Sequence, residues 1–134
     1  MTKEDNERGV YIGIGFHLGV EAAEIEKAIC RFLEELGIEL REVKGLCTVD
    51  FRKTEQLEKV SSLLKKPLFS FSPDEINSVV DVQSKSAAMD AFNIKGVAEP
   101  CAILGANRNK GKFKFVKRKS FDRKITLAVV SCYQ

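Results

Sequence analysis

Apolar residues recur with two different periods along this chain, and the order in which the periods alternate restricts the fold more than any other feature. Val10-Tyr11-Ile12-Gly13-Ile14 is a β-branched and aromatic run ending at Gly15, the composition of a short strand. From Glu21 to Leu36 the period changes. Ile25, Ala28, Ile29, Phe32, Leu33 and Leu36 recur at spacings of three and four, with Glu24, Glu26, Lys27, Arg31, Glu34 and Glu35 on the other face. One apolar stripe opposite one charged face is an amphipathic helix, and Gly37 behind it accepts the positive φ of a helix end. Gly45 to Asp50 is a second strand. Thr54 can cap a second helix whose stripe is Leu57, Val60, Leu63 and Leu64, ending at Pro67, and Leu68 to Phe71 is a third strand.

Ser72-Pro73-Asp74-Glu75 is a helix start: Ser72 as N-cap, Pro73 in the first turn and Glu75 reaching back as the capping-box acid. That helix is expected to end by about Val79. Ser86 to Phe92 reads as one or two helical turns. Gly96 then breaks them, and Pro100 opens a new helix over Cys101 to Leu104 before Gly105. Phe113 to Val116 and Ile125 to Val130 are two last strands around a turn at Ser120-Phe121-Asp122, forming an antiparallel hairpin. The expected fold is α/β: a single three-layer domain with a mostly parallel or mixed sheet of about five strands, ending in a basic antiparallel hairpin. Residues 1–9 are charged and polar and read as a short flexible leader, with the domain over 10–134.

No apolar run approaches the roughly 20 residues of a membrane span, and the N-terminal residues lack the apolar stretch of a signal peptide. The expectation is a cytoplasmic protein without a membrane partner. Cys30, Cys47, Cys101 and Cys132 are scattered, with no C-x-x-C pair and His17 the only histidine. Each lies among apolar neighbours, so they read as buried, reduced thiols that bind no metal. No cofactor fingerprint is present, and none is expected to bind.

Charge is segregated. Between Arg108 and Lys124 nine Lys and Arg face the single acid Asp122, a local +8 within a chain total of +3. Such a segment either meets an anionic partner or is a solvated edge whose lysines block sheet-to-sheet pairing.

Gly13-Ile14-Gly15-Phe16-His17-Leu18-Gly19 lies where the first strand gives way to the first helix, the place where α/β folds bind ligands. It departs from the dinucleotide fingerprint, which needs glycine at Leu18, and no G-K-[ST] occurs in the chain. The segment is therefore either a ligand-facing loop or a plain tight turn. His17, the only histidine, is a general base, a tetrapyrrole metal ligand or a plain surface residue. Asp50 and Lys53, at the end of the second strand and the entrance of the next helix, either bind a ligand or cap the helix and pair with each other. With Gly13, Gly15 and Gly19 on one side and Gly96, Val97 and Glu99 on another, these segments are expected to bound one cleft at the carboxyl edge of the sheet.

Several of these pieces occur together in one colinear pattern. Gly13-Ile14-Gly15, Gly19-Val20, Glu24-Ile25, Asp50 and Lys53, Pro67-Leu68, Phe71-Ser72-Pro73-Asp74-Glu75-Ile76, Gly96-Val97-Ala98-Glu99-Pro100-Cys101-Ala102, Lys117 and Ile125-Thr126-Leu127-Ala128 follow its order and spacing. The chain resembles the C-terminal domain of the cobalamin biosynthesis protein CbiG and its stand-alone CobE-like counterparts, from Val10 to Val130. At the first loop it differs, carrying Phe16-His17-Leu18 where members often have Cys and a basic residue. The resemblance implies an α/β domain in corrin-ring assembly that binds a precorrin intermediate, in a family associated with hydrolytic opening of the cobalt-precorrin-5A lactone and loss of acetaldehyde. Complete members carry a large N-terminal region, so hydrolysis here is expected to need a separate partner chain.

A corrin intermediate carries several carboxylates around a broad apolar ring, so it calls for scattered cations beside an apolar wall. Lys117, Arg118 and Lys119 beside Phe113 and Phe115 answer that description. Glu99 is either a general base or a helix-entry acid favoured by the dipole. Two other readings compete. The same lysines and phenylalanines can contact phosphates and stack bases, although the rest of the chain is net acidic and no nucleic-acid motif is present. Alternatively, the chain is a non-catalytic subunit of a split enzyme working with other corrin-biosynthesis proteins.

Overall fold

The first period-2 run becomes strand β1, Arg8–Phe16, two residues longer at each end than its apolar core. The computed structural model describes residues 8–17, 19–50, 54–76, 94–107, 112–121 and 123–133. Four further strands join β1: β2 (Val43–Val49), β3 (Leu68–Phe71), β4 (Lys112–Phe121) and β5 (Ile125–Tyr133). Their order across the sheet is β3-β2-β1-β5-β4. The first three run parallel, while β5 is antiparallel to both β1 and β4. The expected mixed sheet with a terminal hairpin is what forms.

Chain order alone did not show that the hairpin's second strand is an interior one. Residues 125–131 of β5 are all buried, whereas Lys117, Arg118 and Lys119 of β4 keep solvent access. A strand with no polar face is stable only when both faces are covered, so β5 takes the place beside β1 and the lysine-bearing β4 becomes the edge. The hairpin is also longer than expected. Ser120 and Phe121 pair with Thr126 and Ile125, so they belong to the strand, and the described turn residues are Arg123 and Lys124.

Helices cover both faces. Helix α1 (Ala22–Leu36) and helix α2 (Glu55–Leu64) lie on one, where Ile25, Ile29, Phe32, Leu57 and Val60 pack on Ile12, Ile14, Leu46, Leu127 and Val129. Gly37 ends α1 at φ 70°, its N–H donating to the carbonyls of Leu33 and Glu34. Leu63 was expected in the α2 stripe, but it is 57% exposed, and Leu57, Val60 and Leu64 carry the packing. Cys30 is likewise exposed. It sits on α1 just outside the stripe set by Ile29 and Phe32, and its apolar sequence neighbours point elsewhere because a helix turns 100° per residue. Cys47 and Cys101 are buried, as expected.

The other face is covered by helix α3 (Ile94–Asn107). It begins seven residues before the expected Cys101, so Gly96 lies in its first turn and does not break it, and Pro100 and Gly105 lie inside it. Small residues on its inner side (Ala98, Cys101, Ala102, Ala106) press against Tyr11, Cys47, Val49, Ala128 and Val130. The expected turns at 86–92 lie outside the described residues. Ser72 does build the capping box: its Oγ accepts from the Glu75 N–H at 3.1 Å and its own N–H donates to Glu75 Oε1 at 2.9 Å. Among the described residues no helix is long and apolar enough to cross a membrane.

Candidate functional site

Register and helix direction decide which loops meet. Strands β1, β2 and β3 all end at one edge of the sheet, at Phe16, Val49 and Phe71. Helix α3 runs back against β1: its residues 98–102 lie over Gly13, while Gly105 lies against Tyr11 and Cys47. The first turns of α3 therefore reach the same carboxyl edge. Electrostatics agree. Burial pushes the Cys101 thiol well above its ordinary 9.0, and the nearby charges of Cys47, Asp50 and Glu75 push it further. Cys101, midway along α3, thus lies within electrostatic reach of the ends of β2 and β3.

The expected site residues distribute as follows. His17 is exposed at the exit of β1; its N–H donates to the Lys124 carbonyl at 3.0 Å, and its own carbonyl accepts from Val20. Gly19 follows, exposed, at φ 99°. Asp50 is exposed immediately after β2, and Lys53 lies outside the described residues. Gly96 and Val97 belong to the first turn of α3 and Glu99 to its second. A helix-entry role for Glu99 does not survive, because the dipole effect fades within the first turn. The described ones among these map to one edge.

Gly13 and Gly15 do not lie in a loop. Both are inside β1, paired with Ala128 and Thr126 of β5. A methyl group on Gly13 would overlap the Ala98 carbonyl oxygen and lie 2.9 Å from Ala102 N. The glycine pattern at this position admits a helix where the sequence suggested a ligand. Lys117 also stands apart. It pairs with Val129, which itself faces Ile12, so it sits midway along the edge strand, two strands or about 10 Å from β1. Its alternation with Lys119 puts it on the α1 side, where Lys119 bonds Glu35 of α1 at 2.7 Å. Lys119 Nζ also sits 5.3 Å from the Phe121 ring centre. Part of the basic segment thus staples the hairpin to α1.

Two features of this edge escaped the sequence. Gln56 Oε1 in α2 accepts the Ala22 N–H at 2.9 Å, closing the start of α1 from a second helix. Thr54, the N-cap residue of α2, makes no capping bond, and its Oγ1 is buried without a hydrogen-bond partner among the described residues. Neither bond partner nor orphan status is encoded locally; both follow from how α1 and α2 pack. The hairpin turn supplies cations here as well. Phe16 pairs with Ile125, which pairs with Phe121, so Lys124 stands beside His17, with Arg123 next to it in the turn; both are exposed.

This arrangement has known counterparts. Residues 10–130 match the family described as cobalamin synthesis G C-terminus. A cobalt-precorrin-5A hydrolase from Priestia megaterium is 34% identical over 120 residues, an alignment covering 89% of this chain and 32% of that protein. The chain thus spans about a third of the length of this curated relative. Among solved structures, CobE from the cobalamin biosynthetic pathway superposes with a TM-score of 0.79 at 23% identity, over 95% of this chain and 96% of that one. A cobalamin biosynthesis protein G homolog from Sulfolobus solfataricus superposes at 0.68 and 23% identity, over 92% of this chain and 36% of that one. The cobalamin biosynthesis protein chiG from Agrobacterium tumefaciens superposes at 0.71 and 19% identity, over 90% and 96%. Nothing in the fold or in these likenesses supports a nucleic-acid-binding module. With the family pattern running through nearly every element of the sheet and helices just described, the chain belongs to the cobalamin synthesis G C-terminus family.

Proposed function

We propose that this protein binds a carboxylate-bearing corrin precursor along the carboxyl edge of its sheet, as the C-terminal module of a cobalt-precorrin-5A hydrolase activity. The observation that carries this reading is the 34% identity to a cobalt-precorrin-5A hydrolase over almost all of this chain. The convergence of the β1 exit, Asp50 and the start of α3 on one edge supports the choice of that edge for the ligand. The remaining two-thirds of the related enzyme has no counterpart in this chain, so the proposal gives catalysis to an assembly with a companion chain or region and precursor binding to this one.

In that assembly His17 and Glu99 are assigned to proton transfer. Lactone opening requires a base to take a proton from water as it attacks the carbonyl carbon; the acyl C–O bond then breaks to leave a carboxylate and a hydroxyl. Asp50, Gly19, Gly96 and Val97 shape the ligand's seat. The test is a titration of the protein with cobyrinic acid, followed by the corrin's visible absorbance, with a single-stranded oligonucleotide in parallel. Saturable binding of the corrin that persists at high salt is expected, because an apolar ring contributes beyond the screened charges. Length-dependent oligonucleotide binding with no corrin affinity overturns the reading.

A further inference from the structure

Arg123 occupies a backbone conformation that an arginine does not favour. The turn between β4 and β5 is closed by the Lys124 N–H donating to the Phe121 carbonyl at 3.0 Å, which makes Arg123 the third residue of a four-residue hairpin turn. Its φ is 58°. Turns with positive φ at this position favour glycine or asparagine, because any larger residue brings its Cβ against its own backbone. The sequence carries Asp-Arg where Asp-Gly would be relaxed. Lys65 is the other described non-glycine residue with positive φ, and it is a helix C-cap, a common place for it.

The strained residue is at the proposed ligand edge. The His17 N–H holds the Lys124 carbonyl, which ties the turn to the exit of β1. Along the same edge, the exposed described side chains at the start of α1 (Glu21, Glu24) and, across β1 from the turn, at the end of β2 and after β3 (Asp50, Asp74, Glu75) are acidic. A polycarboxylate approaching this edge meets repulsion unless cations intervene. Arg123 and Lys124 are the cations on the turn, whereas Lys117 lies in mid-strand and Lys119 is engaged by Glu35.

We propose that Arg123 is a ligand-binding residue, held at positive φ so that its guanidinium meets a carboxylate of the corrin ring, with Lys124 as the second cation. Strain kept at a turn tip in exchange for a charged contact is a recognised pattern at binding sites, and a planar guanidinium suits a carboxylate better than an ammonium does. This inference rests on the corrin-binding reading above, and the experiment separates the two.

Wild type, Arg123→Gly and Arg123→Lys are titrated with cobyrinic acid and with its neutral polyamide, and their thermal midpoints are measured. Arg123→Gly is expected to bind the acid roughly tenfold more weakly, to bind the amide as wild type does, and to melt at an equal or slightly higher temperature because the turn relaxes. Arg123→Lys should retain part of the acid's affinity. Equal acid binding by wild type and Arg123→Gly overturns this inference while leaving the corrin reading intact. So does a lower melting temperature for Arg123→Gly, since the arginine would then be kept for the fold. Failure of the wild type to bind either corrin overturns both.

Discussion

Gly13 of β1 and Ala98 of α3 are in backbone contact: a side chain on the glycine would lie 2.7 Å from the Ala98 carbonyl carbon and overlap its oxygen. The helix that brings Gly96, Val97 and Glu99 to the carboxyl edge is seated by the absence of a single methyl group. Gly13→Ala should therefore destabilise the protein by about 3 kcal/mol or more, since the obstruction is backbone and cannot rotate away. Gly19→Ala meets no neighbour among the described residues and suffers from its φ of 99°, a cost of about 1 kcal/mol. Urea denaturation of both variants checks the order. Comparable losses would mean that α3 is not seated on Gly13.

The Lys119 hydrogen bond holds the Glu35 carboxyl below its ordinary 4.5, with further help from the charges of Lys119, Arg31 and Lys117. A depressed folded-state value stabilises the fold above the unfolded carboxylate's pKa, and that contribution is lost as pH falls through the folded value. Thermal midpoints of wild type and Glu35→Gln should differ at neutral pH and converge well below pH 4.5. The difference should also shrink in high salt, as the pair is solvent-accessible. A gap that persists in acid would assign the effect to packing.

Thr54→Val removes a buried hydroxyl that has no partner among the described residues. Such a change is expected to leave stability unchanged or raise it by up to about 1 kcal/mol, because no hydrogen bond is lost. If the corrin precursor occupies this edge, the same variant weakens its binding while Thr54→Ser does not. Denaturation and corrin titration of both variants read the two effects separately.

Lys117→Ala should alter corrin affinity by less than about twofold, the ordinary scale of an exposed charge remote from a ligand. The reason is its position on the α1 side of the edge strand, away from α3. A loss as large as that of Arg123→Gly would relocate the ligand to the hairpin's outer face.

The cysteines should separate under alkylation. Cys30 is exposed and should label in the native protein, but slowly at neutral pH, because partial burial and then Glu26 and Glu34 raise its thiol above 9.0. Its labelling rate should rise with pH as the thiolate forms. Cys47 and Cys101 are fully buried and should label only on unfolding. Mass spectrometry of alkylated peptides distinguishes the sites, and rapid labelling of Cys101 would contradict its burial.

Much of the architecture was legible because it is written in local periodicity. The stripe from Ile25 to Leu36, the capping box of Ser72 and Glu75, the end at Gly37 and the span of β3 each depend on residues a few positions apart. Local signals misled where a neighbour distant in sequence set the outcome. Gly13 and Gly15 looked like a loop because glycine marks turns, yet β5 and α3 hold them in a strand. Gly96 and Pro100 looked like a break and a start, yet the sheet supports one helix across both.

The site divides along the same line. The family pattern and the chemistry-bearing residues His17, Asp50 and Glu99 are properties of the chain read in order, since type and spacing suffice to identify them. Which of them share an edge was decided by strand order, by the parallel ends of β1, β2 and β3, and by the reversed run of α3. Tertiary pairing also separated Lys117 from that edge, gave Lys119 to Glu35, and brought Lys124 of the hairpin turn beside His17. Side-chain periodicity is a short-range property of the backbone, whereas the meeting of residues more than a hundred positions apart is settled only when the strands between them choose their partners.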